Sequence, residues 1–108
     1  MDHATAEAER IDGYAAALVD IARAEGPESS VADEFHAAAH ALSGNSELIE
    51  TLRDSRVPGE RKQGILNDLL GTRVSPVTVA AINFVVAAGQ ARHLDAIAKR
   101  LAHLTAEA

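Results

Sequence analysis

The segment from Val77 to Ala88 is apolar on nearly every side of a helix. That limits the folds open to the chain, because a helix without a polar face has to be covered by something. At about 100° per residue, Val77, Ala81, Phe84, Val85 and Ala88 gather on one side. Val79, Ile82 and Val86 lie roughly opposite, and between them runs a strip of Pro76, Ala80, Asn83 and Ala87. Burial at the centre of a bundle accounts for the two bulky sides. The strip of small residues is the part that burial leaves over. Small side chains let another helix approach closely, in the helix-in-groove mode. The first helix offers a comparable strip of Tyr14, Ala17, Ile21 and Ala24, with Tyr14 as an anchor that is apolar in body and polar at its tip.

Helix punctuation divides the rest of the chain. A first helix is expected from about Ala6 to Glu25, with Ile11, Tyr14, Leu18, Ile21 and Ala22 at helical spacing and Gly26-Pro27 as its stop. Ser30 opens a second that buries Val31, Phe35, Ala38 or Ala39, and Leu42, and Ser43-Gly44-Asn45 ends it. Asn45 or Ser46 caps a short third helix carrying Leu48, Ile49 and Leu52. Pro58 starts a fourth, with Ile65, Leu66, Leu69 and Leu70, that stops at Gly71. Ser75-Pro76 repeats the cap-then-proline signal for the fifth, which ends near Gly89. A sixth runs from about Arg92 with Leu94, Ile97, Leu101 and Leu104. No stretch alternates with period two. The expectation is an all-α, six-helix bundle forming a single domain over residues 1–108, with its core within about 6–106.

Composition supports that reading. The hydrophobic share is 47% but aromatics supply only 3%, and alanine, the best helix former, fills the gap. A net charge of -6 speaks against a nucleic-acid face or an anionic membrane surface, both of which need clustered Lys and Arg. There is no cysteine and no apolar run of ~18 residues. Met1-Asp2-His3-Ala4 is unlike a signal peptide. A soluble domain with no membrane insertion is expected.

Catalytic chemistry has little to stand on. His36 and His40 lie one turn apart, a spacing that can ligate a metal, with Asp33 three residues before. A zinc protease would need Glu where Ala37 stands, so solvated histidines are the simpler reading. Asp33-Glu34 reads as a solvated face, and Ser43 and Ser46 have no adjacent base. Arg53, Arg56, Arg61, Lys62 and Arg73 form one basic stretch. No cofactor, metal or catalytic residue is expected. Two other readings stay open: a small DNA-binding regulator using helices 4 and 5 across Gly71–Ser75, with Thr78 and Asn83 as its polar contacts, or a helical metal-binding domain through His36 and His40.

Several segments, taken in order, resemble one family. Tyr14-Ala15-Ala16-Ala17-Leu18 is similar to the Tyr-Ala-x-Ala-Leu start of the N-terminal domain of F-type ATP synthase delta subunits, called the oligomycin-sensitivity-conferring protein in mitochondria. Arg61-Lys62-Gln63-Gly64-Ile65-Leu66 resembles its Lys-x-x-Ile-Leu segment. Ile82-Asn83-Phe84-Val85-Val86 resembles its Asn-Phe-Leu helix, and Gly89 falls where its Gly-Arg pair begins. The resemblance runs from roughly Ile11 to Leu104, and order and spacing carry it more than any one motif.

The resemblance implies a six-helix bundle and a non-catalytic coupling subunit. Such a subunit holds the N-terminal helix of an alpha subunit between helices 1 and 5 and ties the catalytic head to the peripheral stalk during proton-coupled ATP synthesis. It implies a partner-binding set of Tyr14, Ala17, Ile21, Ala80, Asn83, Phe84 and Ala87. A b-type stalk subunit is the partner of the full-length protein, and the site of action is the cytoplasmic face of the bacterial plasma membrane. Gln90 departs from the family's Arg, with Arg92 placed to substitute. The family's C-terminal region lies outside this sequence, as expected for a piece of a longer polypeptide.

Overall fold

In the computed structural model, residues 3–25 and 30–106 are described. The expected stop at Gly26-Pro27 lies outside them. Six α-helices follow one another: α1 His3–Ala24, α2 Val31–Ser43, α3 Ser46–Arg53, α4 Gly59–Leu70, α5 Pro76–Ala87 and α6 Leu94–Ala106. A 3-10 turn, Ala91–His93, precedes α6, and no strand occurs among the described residues. α1 starts three residues earlier than the apolar pattern indicates, because nothing in the polar stretch before Ala6 interrupts a helix.

Local chemistry explains most boundaries. Asn45 Oδ1 accepts the backbone N–H of Leu48 at 3.1 Å and so caps α3. Ser75 caps α5 with Pro76 in its first turn. Ser30 stands at the start of α2 but makes no capping hydrogen bond through its side chain. Pro58 precedes α4 by one residue instead of occupying its first turn. α4 closes at Gly71, where a Cβ would stand 2.5 Å from the Asn67 carbonyl oxygen, so any other residue would force the helix end apart. After α5 the chain reverses at Gly89, whose φ of 78° is costly for residues with a side chain.

α1 and α2 both lie along α6, while α5 packs on α2 and α4. Phe35, Leu18, Leu52, Leu66, Ile82 and Leu94 are among the fully buried side chains. The principal dimensions are 42 × 39 × 21 Å, so the shortest is about two helix diameters. That thinness corrects the expectation that both bulky sides of the fifth helix are covered: of Val77, Ala81, Phe84, Val85 and Ala88, only Ala81 and Val85 are buried. Thr78, Val79, Ala81, Ile82, Val85 and Val86 turn inward, while Pro76, Ala80, Phe84, Ala87 and Ala88 are exposed. Leu69 is likewise exposed, because Leu66 and Leu70 take the core side of α4.

One polar network anchors α5. Glu34 of α2 accepts hydrogen bonds at Oε1 from Thr78 Oγ1 at 2.7 Å and from Ser75 Oγ at 2.8 Å. The Ser75 backbone N–H points at the same carboxylate, 3.3 Å from each oxygen. Thr78 is fully buried. The carboxylate thus sits at the positive end of the α5 dipole. The hydroxyls of Thr78 and then Ser75, opposed by some desolvation, hold the Glu34 carboxyl below the usual carboxylate range. The sequence pattern places Glu34 with Asp33 on a solvated face. In the fold only Asp33 is exposed, because Glu34 shares a helix side with the buried Val31 and Ala38.

Replacing Glu34 with Gln should lower stability by about 1.5–3 kcal/mol, the range for hydrogen bonds to a charged group. Because the folded-state pKa is depressed, this contribution is present above the unfolded pKa and is lost as pH falls through the folded value. Urea unfolding across pH should therefore show the gap between wild type and Glu34→Gln widest near neutrality and closing in acid. A gap that persists unchanged at acid pH would contradict the assignment.

Candidate partner-binding surface

The outward half of α5 contains no charged side chain, and its one polar group is Asn83. Asn83 Nδ2 donates to the Val79 carbonyl at 3.2 Å, one turn back. Beside it stands Phe84, 45% exposed although it is one of only two phenylalanines in the chain. Its ring meets Tyr14 of α1 edge-on, with centroids 5.6 Å apart and planes at 61°, an arrangement aromatic quadrupoles favour. This pair joins α1 to α5 at the surface.

Of the seven residues expected at the site, Ala80, Phe84 and Ala87 are exposed, and Tyr14, Ala17, Ile21 and Asn83 are partly buried. The structure brings Tyr14 to Phe84. The concave ground lies on the other flank of α5, against α4. One depression of about 440 Å³ is lined by Gln63 and Asn67 of α4 and by Pro76, Ala80 and Asn83 of α5. A second, of about 420 Å³, is lined by Gly59, Lys62 and Gln63 and by Asn83, Phe84 and Ala87. Ala17 and Ile21 line neither.

The α4 wall was not foreseen from the sequence. Gln63 and Asn67, one turn apart beside the buried Leu66 and Leu70, were the available signal, but amides next to a core stripe look like ordinary helix surface.

The other candidate residues are placed elsewhere. His36 and His40 are exposed, and among the described residues no three His, Cys, Asp or Glu side chains gather as a metal site. Thr78, one of two polar residues available to a recognition helix in α5, is buried under Glu34. The basic stretch is partly neutralised: Arg53 pairs with Glu50 at 3.2 Å, and Arg56 grips Asp54 through Nε at 3.0 Å. That contact pulls the Asp54 pKa down to about 2. Gln90 Oε1 lies 2.9 Å from His93 Nδ1, and burial followed by the Arg92 charge lowers the His93 pKa. Arg92, not residue 90, reaches α1, 3.9 Å from Glu7. No helix among the described residues is long and apolar enough to cross a membrane.

The fold is an all-α bundle that carries an uncharged, largely apolar sector on the outside of α5. The chain belongs to the ATP synthase delta (OSCP) subunit family, which matches it over residues 11–108. It is 28% identical over 94 residues to a chloroplastic ATP synthase subunit delta of Ochrosphaera neapolitana, covering 87% of this chain and 52% of that one. It is also 28% identical over 96 residues to ATP synthase subunit delta of Synechococcus elongatus, covering 89% and 53%. The corresponding subunit of Salinibacter ruber is 30% identical over 73 residues, covering 68% and 38%. The chain thus spans about half the length of the relatives it matches most extensively. No solved structure matches it with comparable significance.

The exposure of Phe84 sets an expected cost. Phe84→Ala should lose about 1 kcal/mol, most of it the ring pair with Tyr14. Phe35→Ala, which empties a fully buried site, should lose ~3–5 kcal/mol. Chemical denaturation of both variants tests the ordering, and equal losses would place the Phe84 ring in the core.

Proposed function

We propose that this domain is a non-catalytic coupling element of a rotary ATP synthase, holding the N-terminal helix of an alpha subunit against α1 and α5. Tyr14, Ala17 and Ile21 supply the α1 side. Ala80, Asn83, Phe84 and Ala87 supply the α5 side. The observation that carries the reading is the half-exposed Phe84, braced by Tyr14 and flanked by the small side chains of Ala80 and Ala87. An apolar surface of this kind is unfavourable in water until a partner covers it. Family membership supplies the class of assembly.

In this role the domain carries force and performs no chemistry. It keeps the catalytic head from turning with the rotor by linking it to the peripheral stalk. Contact with a b-type stalk subunit belongs to the part of the relatives' length that this chain does not span. Proposed for a bacterial enzyme, the assembly places the domain on the cytoplasmic face of the plasma membrane.

The test is titration with a peptide copying the N-terminal ~20 residues of the alpha subunit of the same organism, about 30 Å long as a helix. Binding should raise the helical circular dichroism of the peptide. Tyr14→Asp and Ala80→Trp should each weaken it roughly tenfold or more, because one charges and the other fills the seam. A folded domain that leaves the peptide unbound at high concentration would overturn the reading.

A further inference from the structure

The two depressions beside α5 share Gln63 and Asn83 and together follow the length of the helix. Their floor is apolar, and their α4 wall is polar. The side chains of Gln63 and Asn67 make no hydrogen bond among the described residues, and the Asn83 side chain uses only its Nδ2, leaving Oδ1 without a donor. Of the residues lining one depression or the other, one carries a formal charge, Lys62 at the Gly59–Ala87 end.

Lys62 forms no ion pair among the described residues. Asp54, whose carboxylate feels its charge, is already held by Arg56 through both oxygens at 3.0 Å. A lysine without an ion-pair partner among the described residues, on the rim of an apolar trough, selects locally for an anionic group on whatever lies there.

We propose that the α4 wall reads the polar edge of the partner helix, with a carboxylate side chain of that helix set over Lys62 and hydrogen-bonding side chains set over Gln63 and Asn67. This rests on the proposed function and extends it. The occupant is an amphipathic helix whose apolar stripe covers Ala80, Phe84 and Ala87 and whose α4-facing flank is acidic at one end. The amides fix its register, and the ion pair fixes its direction along α5.

The experiment uses the N-terminal peptide of the alpha subunit and a set of its variants in which each Asp or Glu in turn becomes Lys. Lys62→Glu should weaken the unmodified peptide roughly tenfold at low salt, with the difference shrinking as ionic strength rises. One acid-to-Lys peptide should recover affinity for Lys62→Glu and lose it for wild type, whereas no peptide of the set should rescue Tyr14→Asp. If a folded Lys62→Glu protein binds the unmodified peptide as tightly as wild type while Tyr14→Asp does not, the acidic-flank proposal fails and the α1–α5 reading survives. If no peptide binds wild type, both fail. A dimer seen by light scattering and broken by Lys62→Glu, with peptide affinity unchanged, would make a second copy the occupant and also overturn the proposal.

Discussion

The carboxylate of Glu34 lies over the first turn of α5 and gathers two hydroxyls and a backbone N–H around it. Few other polar contacts in the domain join distant parts of the chain through a partly buried group. α5 has almost no polar side chain with which to choose its own orientation, and apolar packing by itself is tolerant of rotation. Hydrogen bonds to a fixed carboxylate are directional. They decide which half of α5 meets α2 and therefore which half is left outside. The exposure of Ala80, Phe84 and Ala87 follows from that choice.

Apolarity on all sides thus has two causes in one helix. Thr78, Val79, Ala81, Ile82, Val85 and Val86 are covered by the bundle itself. The remaining sector has no internal cover, since the flattened shape offers nothing to place over it. Tyr14 shields one edge of Phe84 and stops there. The uncovered sector is bounded on one side by an aromatic pair and on the other by amides and a lysine. A surface with different chemistry on its two flanks can distinguish the two directions of a helix laid upon it.

How much of this the sequence discloses depends on the range of each interaction. Caps are local, and Asn45, Gly71 and the Ser75-Pro76 pair can be read directly, so the six helices follow from pattern and punctuation. The angular sorting of α5 isolates the strip of small residues. It cannot tell which side of that strip turns inward, because the two bulky sides are equally apolar. Phe84 therefore sorts with the buried Val85 on paper but not in space. Glu34 looks like a solvated acid because its partners stand 41 and 44 residues away. The amides of α4 are silent for a similar reason: they acquire meaning only when α5 is laid beside them.

Gly89 gives the chain reversal after α5 a mechanical meaning. Its left-handed backbone lets the N–H groups of Gly89 and Gln90 bond back to the carbonyls of Val86 and Val85, at 3.0 and 3.1 Å, before Ala91 is buried and α6 begins. With Glu34 at the other end, α5 is closed by hydrogen bonds at both termini, to α2 at the first and to its own last turn at the second. A sideways pull on Phe84 has no hinge to open. It is passed to α2 and α4, the two helices α5 packs on, so the helix moves with its neighbours and not apart from them.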